Sequence, residues 1–97
     1  MRDYLLLMHA DPPVEVRQQD WPSYLARLQG AGALQGGSAI GGGQCFRKAG
    51  TVPAVSLHIS GFIRVRAASL AAAQALLAGN PVFEAGGSVE VRELVRS

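Results

Sequence analysis

His9 and Asp11 stand two residues apart, where a dense apolar run gives way to a Pro-Pro turn. Side chains at i and i+2 of an extended chain project to the same side. An imidazole beside a carboxylate could serve as a general base held in place by its neighbour, because imidazole exchanges its proton near neutral pH. The same two residues also read as a histidine that ends a strand and an aspartate that opens the turn at Asp11-Pro12-Pro13. His58 could join His9 and Asp11 as a two-histidine, one-carboxylate metal set. The three are too far apart in sequence to show ligand spacing. No metal is expected, and His58 reads as a surface or interface histidine. Arg64, Arg66 and Arg92 fall on alternating positions of two strand-like runs. Arginine forks bind carboxylates and phosphates with two parallel hydrogen bonds, so a small anionic ligand is one reading. Cross-strand pairing with Glu90 and Glu93 is the other.

Two further features could carry chemistry and do so weakly. Gly36 to Gly43 is glycine-dense, but it lacks the lysine and hydroxyl residue of a phosphate loop and the spacing of a dinucleotide fingerprint. A hairpin with bulges is the better reading, and no cofactor is expected. Cys45 is the only cysteine, which excludes an internal disulfide and a cysteine-built zinc cage. Its neighbours Arg47 and Lys48 alone do not mark it as reactive, and it reads as a buried or inert thiol.

The elements that must position these groups are legible from periodicity. Tyr4 to His9 is apolar on both faces and short, which fits a central strand. Asp20 could cap a helix that begins at Trp21-Pro22 and carries Trp21, Tyr24, Leu25 and Leu28 at helical spacing before Gly30 and Gly32. Ala33 to Gly43 reads as a weak strand, and Gln44 to Lys48 as a short one. Ala49 to Ser60 reads as a loop or an irregular edge strand. Phe62 to Arg66 alternates, so Ile63 and Val65 share one face and Arg64 and Arg66 the other. Ser69 is an N-cap for a helix whose apolar stripe is Leu70, Ala73, Leu76 and Leu77. Gly79 suits a left-handed end, and Pro81 stops the helix. Glu84 to Gly87 is a turn, and Val89 to Val95 is the last strand.

With 97 residues and an apolar share of 48%, the chain has the size of one domain, 1–97. A net charge of +2 from dispersed basic residues disfavours nucleic acid, which needs clustered cations. The apolar run near the start is too short for a membrane helix or a signal-peptide core, so a soluble cytoplasmic protein is expected, with no membrane partner. The order strand, helix, two weak strands, strand, helix, strand fits an α+β ferredoxin-like sandwich with both helices on one face of an antiparallel sheet. Arg64, Arg66, Glu90 and Arg92 then point to the other face, open to water or to a second subunit.

Several stretches resemble the YCII-related family of small dimeric α/β-barrel proteins, the group that includes the DGPF proteins. They are the opening Tyr4-Leu-Leu-Leu-Met, the helix Trp21-Pro-Ser-Tyr-Leu-Ala-Arg-Leu-Gln, Gly36-Gly37, Gly61-Phe62 with Ala68-Ser69-Leu70 and Ala73, Asn80-Pro81, and Gly86 to Arg92. The resemblance implies a ferredoxin-like subunit that forms a homodimer through its sheet, with a cleft between sheet and loops. It also implies a histidine in the first helix and an aspartate before the proline after the second. Here Tyr24 and Asn80 occupy those positions, and the DGPF tetrapeptide is absent. Tyrosine has a reference pKa of about 10 and asparagine does not titrate, so this pair cannot shuttle a proton near neutral pH, although it can hydrogen-bond a ligand.

The reading that results is a dimeric binder of a small anionic metabolite, with Tyr24, Asn80, Arg64 and Arg92 as ligand contacts alongside His9. The first alternative is a small cofactor-free enzyme of lyase, isomerase or hydrolase type, with His9 and Asp11 as its catalytic pair. The second is a regulatory or structural partner protein without a ligand.

Overall fold

The computed structural model of the protein describes residues 1–95. Four strands form one antiparallel sheet: β1 (Arg2–His9), β2 (Leu34–Ala39), β3 (Ile59–Ala67) and β4 (Val89–Leu94). Their order across the sheet is β2-β3-β1-β4. The helices are α1 (Trp21–Gly30), α2 (Leu70–Ala75) and α3 (Pro81–Glu84). This is the α+β, ferredoxin-like arrangement that the order of apolar runs predicts. β1 is indeed central, paired with β3 on one side and β4 on the other.

The period-two patterns sort side chains onto two faces. Tyr4, Leu6 and Met8 of β1 and Ile63, Val65 and Ala67 of β3 are buried on the helix side. Tyr24 and Leu28 of α1, Ala73 of α2, then Leu77 and Val82 complete that core. The opposite face has no helix on it. Leu7 and Phe62 are register partners at its centre, with Leu5 beside Arg64 and Arg92. Leu5, Leu7 and Phe62 are only half-buried, and Arg64, Arg66 and Arg92 are exposed.

Local physics sets the helix ends. Ser69 accepts a hydrogen bond from the Ala72 amide at 3.1 Å, the cap its sequence position implies. Leu70 departs from the expected stripe: it is 57% exposed, and Ala73 and Leu77 form the buried line instead. Asp20 does not cap α1 with its side chain, which pairs with Arg17 at 3.0 Å. Its backbone carbonyl accepts from the Ser23 hydroxyl at 3.2 Å. A short 3-10 turn (Gln18–Asp20) leads into α1 instead.

Two expectations give way. α2 already stops at Ala75, and Pro81 opens another helix instead of ending one, because a proline at the first helical position surrenders only an amide that would be orphaned there anyway. Gly79, at φ +85°, turns the chain between α2 and α3. Gln44 to Lys48 forms no strand: the whole segment 40–58 lacks regular structure. Its glycines weaken strand formation, and its apolar residues find no face to bury, with Phe46 87% and Leu57 77% exposed. β2 alone therefore precedes β3, and α1 leaves the outer part of β2 uncovered, since Gln35 through Ala39 are all exposed.

Candidate functional site

That uncovered corner is a cleft of about 850 Å³, bounded by β2, β3, the end of β1, the start of α1 and the segment leading into it. Trp21 and Leu25 wall it from α1, with Leu34 from β2 opposite and Val16 above. Gly37 and Gly61 lie in its floor. A Cβ on Gly37 would come within 2.6 Å of the Phe62 carbonyl, and one on Gly61 within 3.1 Å of the Ser38 carbonyl. The Gly37 contact is closer than a side-chain carbon tolerates, and the Gly61 contact is tight enough that a neighbour would have to shift. The close approach of β2 to β3 therefore requires glycine at 37, favours it at 61, and leaves the floor bare. The lining is mainly apolar, and its polar residues are His9, Gln18, Ser38 and Ser60.

His9 lines the cleft beside an irregularity in the sheet. Met8 faces Gly61 and His9 faces Ile59, so Ser60 is an extra residue on β3. Such bulges bend a strand and re-aim its side chains. The Ser60 hydroxyl donates to the Met8 carbonyl at 3.3 Å and ties the bulge down. His9 Nε2 lies 2.7 Å from Oε2 of Glu90 on β4. The His58 ring packs edge-on against His9, with centroids 5.2 Å apart. Glu90 also holds Arg92, at 3.5 Å. The hydrogen bond from His9, with a lesser contribution from Arg92, holds the Glu90 carboxyl below its usual range.

Asp11 is not the bonded partner of His9. Its two carboxylate oxygens accept from the Ser88 amide at 2.8 Å and the Ser88 hydroxyl at 2.7 Å. Those two bonds hold its carboxyl below the usual aspartate range. They tie the end of β1 to the start of β4. The carboxylate that pairs with His9 is eighty-one positions away in sequence. The signal for it was present in the strand pattern, since Glu90 alternates onto the same face as His9.

Tyr24 and Asn80 do meet, inside the protein. Tyr24 is 2% exposed and Asn80 0%. The Tyr24 hydroxyl donates to the Leu76 carbonyl at 2.8 Å. Burial pushes that hydroxyl above its usual pKa, while the Asn80 amide and the Arg27 guanidinium pull the other way. Asn80 Oδ1 accepts from the amides of Val82 and Phe83 at 3.0 and 3.1 Å and so caps α3. Its buried Nδ2 sits near the Tyr24 oxygen but completes no hydrogen bond. Arg27 lies over the Tyr24 ring, 5.7 Å from its centre, and donates to the Ala78 carbonyl. The group joins α1 to the α2–α3 corner, and neither Tyr24 nor Asn80 lines the cleft. Arg64 and Arg92 lie on the open sheet face and do not line it either.

The residues that sequence reasoning grouped as one pocket thus occupy three places: the cleft mouth, the interior and the open face. The cleft walls were read only as core positions, because an apolar residue beside a void looks in sequence like one beside another side chain. Among the described residues no three His, Cys, Asp or Glu side chains are arranged to hold a metal ion. No helix among them is long and apolar enough to cross a membrane.

No curated protein matches the sequence. The YCII-related domain model matches residues 2–97, essentially the full length, and the chain belongs to the YCII-related family.

Proposed function

We propose that this protein binds a small organic anion with a largely apolar body in the cleft beside α1, and that it works as a homodimer joined through its open sheet faces. The observation that carries the binding reading is the combination of a void of about 850 Å³, a floor kept bare by Gly37 and Gly61, and a mainly apolar lining with only a few polar groups. Ligand sites are commonly concave, mainly apolar and fitted with a few convergent polar groups. His9 supplies the group that would meet the ligand's charged or hydrogen-bonding end. Trp21 and Leu25 supply the surface for its body. The dimer reading rests on the apolar centre of the open face, Leu5, Leu7 and Phe62, rimmed by arginines.

Trp21 is the only tryptophan and lines the cleft, so its emission reports occupancy. Titration with a panel of aromatic and aliphatic carboxylates should give a saturable change in emission for some members. Leu34→Trp fills the cleft and should abolish that response, read by displacement of an apolar dye. Binding that survives Leu34→Trp but disappears in Arg64→Ala would move the site to the open sheet face and refute the cleft reading. Arg64 keeps that second reading testable, because it has no carboxylate partner within ion-pair distance among the described residues.

A further inference from the structure

We infer that His9 and Glu90 form a proton-transfer dyad, in which His9 Nδ1 takes a proton from a carbon acid bound in the cleft and Glu90 positions the ring. The inference rests on the cleft being a ligand site.

The geometry has three parts. Glu90 accepts at 2.7 Å from Nε2, so a neutral His9 carries its hydrogen on Nε2. The other ring nitrogen, Nδ1, makes no hydrogen bond within the protein among the described residues and keeps its lone pair. His9 is among the residues that line this mainly apolar cleft, beside the bulge at Ser60 of β3. The edge-on His58 ring blocks one side and limits how His9 can swing. The charged and titratable groups around the ring are Glu90 and Arg92 on β4, His58 in the segment before β3, and Asp11 past the end of β1.

The substrate class is a small carboxylate with a largely apolar body and an acidic C–H next to a carbonyl. In the forward step the proton moves to Nδ1 and the C–H electron pair becomes part of an enolate. The imidazolium then returns that proton to another carbon or to the opposite face. The result is an isomerisation that needs no oxidant, reductant or second reactant. His9 is the catalytic group and Glu90 a positioning residue. Tyr24 and Asn80 take no part, since both are engaged in the interior.

Nitrobenzisoxazole tests the step, because it is apolar and aromatic and releases a coloured phenolate in one move. A base takes the carbon-bound proton, the C–H electrons complete a nitrile, and the N–O bond breaks. The protein should accelerate this reaction about 100-fold or more over free imidazole at the same concentration, the range of positioned general bases. His9→Gln should remove the acceleration. Glu90→Gln should lower it at least tenfold and change the nitrogen-15 signals of the His9 ring from one tautomer to a mixture, which a purely structural contact between strands would not do to the rate. A probe that changes Trp21 emission but reacts no faster than with imidazole overturns the dyad and leaves the cleft standing. A rate that persists in His9→Gln overturns it too. A probe that leaves Trp21 emission unchanged counts against the cleft and the dyad together. The comparison with free imidazole uses the unaltered protein, so it does not depend on a variant folding.

Discussion

Asn80 holds two amides of α3 with one oxygen, and replacing it removes both bonds at once. Asn80→Ala should destabilise the protein by about 1–2 kcal/mol, the cost of a lost helix cap, read by urea unfolding. Tyr24→Phe should cost about 1 kcal/mol, since it leaves the Leu76 carbonyl without its partner, and should leave ligand affinity unchanged. The acid side of the stability curve belongs to Asp11 and Glu90. Both carboxyls have folded pKa values below their ordinary ones, Asp11 through its bonds to Ser88 and Glu90 through its bond to His9. Between the folded and unfolded pKa values the unfolded chain holds more protons, so stability rises with pH there. Their contribution is complete above the unfolded values and is lost as pH falls through the folded ones. Asp11→Asn should therefore flatten the loss of stability below about pH 4, measured as urea midpoints at successive pH values. The sequence carried this scale unevenly. His9 and Asp11 share the i, i+2 pattern, but pairing depends on which partner the neighbouring strand supplies, and Ser88 and Glu90 could be ranked only once the register was known. The family positions at Tyr24 and Asn80 do lie together, yet burial turns them into internal ties.

At the scale of elements, strand identity followed from a short run apolar on both faces in β1 and from period-two runs in β3 and β4, where one face must leave water. The Ser69 cap and the Gly79 turn were equally legible, because their chemistry is local. Gly79→Ala should cost about 1–2 kcal/mol, since the left-handed backbone is strained for alanine and its Cβ would collide with the Arg27 guanidinium. α3 was missed because proline's ban on continuing a helix also makes it a good first residue of one. Segment 40–58 was unreadable because it has neither period. Replacing residues 42–55 with a short turn should keep the β2–β3 pairing and the melting temperature within a few degrees, because loop length enters stability only through a logarithm. Loss of the fold in that variant, seen by circular dichroism, would mean that the segment packs more strongly than its exposure implies.

The whole molecule has a sheet with one face packed by helices and the other bare. That layering was predictable from counting faces, whereas the cleft was not, because it arises where α1 stops short of β2. The apolar centre of the bare face argues for a partner of the same kind, since a stable interface needs about 800 Å² from each side. Leu7→Glu should convert a dimer to a monomer in sedimentation equilibrium without unfolding it, and a wild-type monomer at micromolar concentration would refute the shared-face arrangement. The most direct measurement of the central claim is a map of backbone amide chemical shifts on titration with a small aromatic carboxylate that alters Trp21 emission. The account predicts saturable shifts at Trp21, Leu25, Gly37, Gly61 and His9, with Arg64 and Arg92 still. Shifts confined to the arginines of the open face, or spread without saturation, would contradict it.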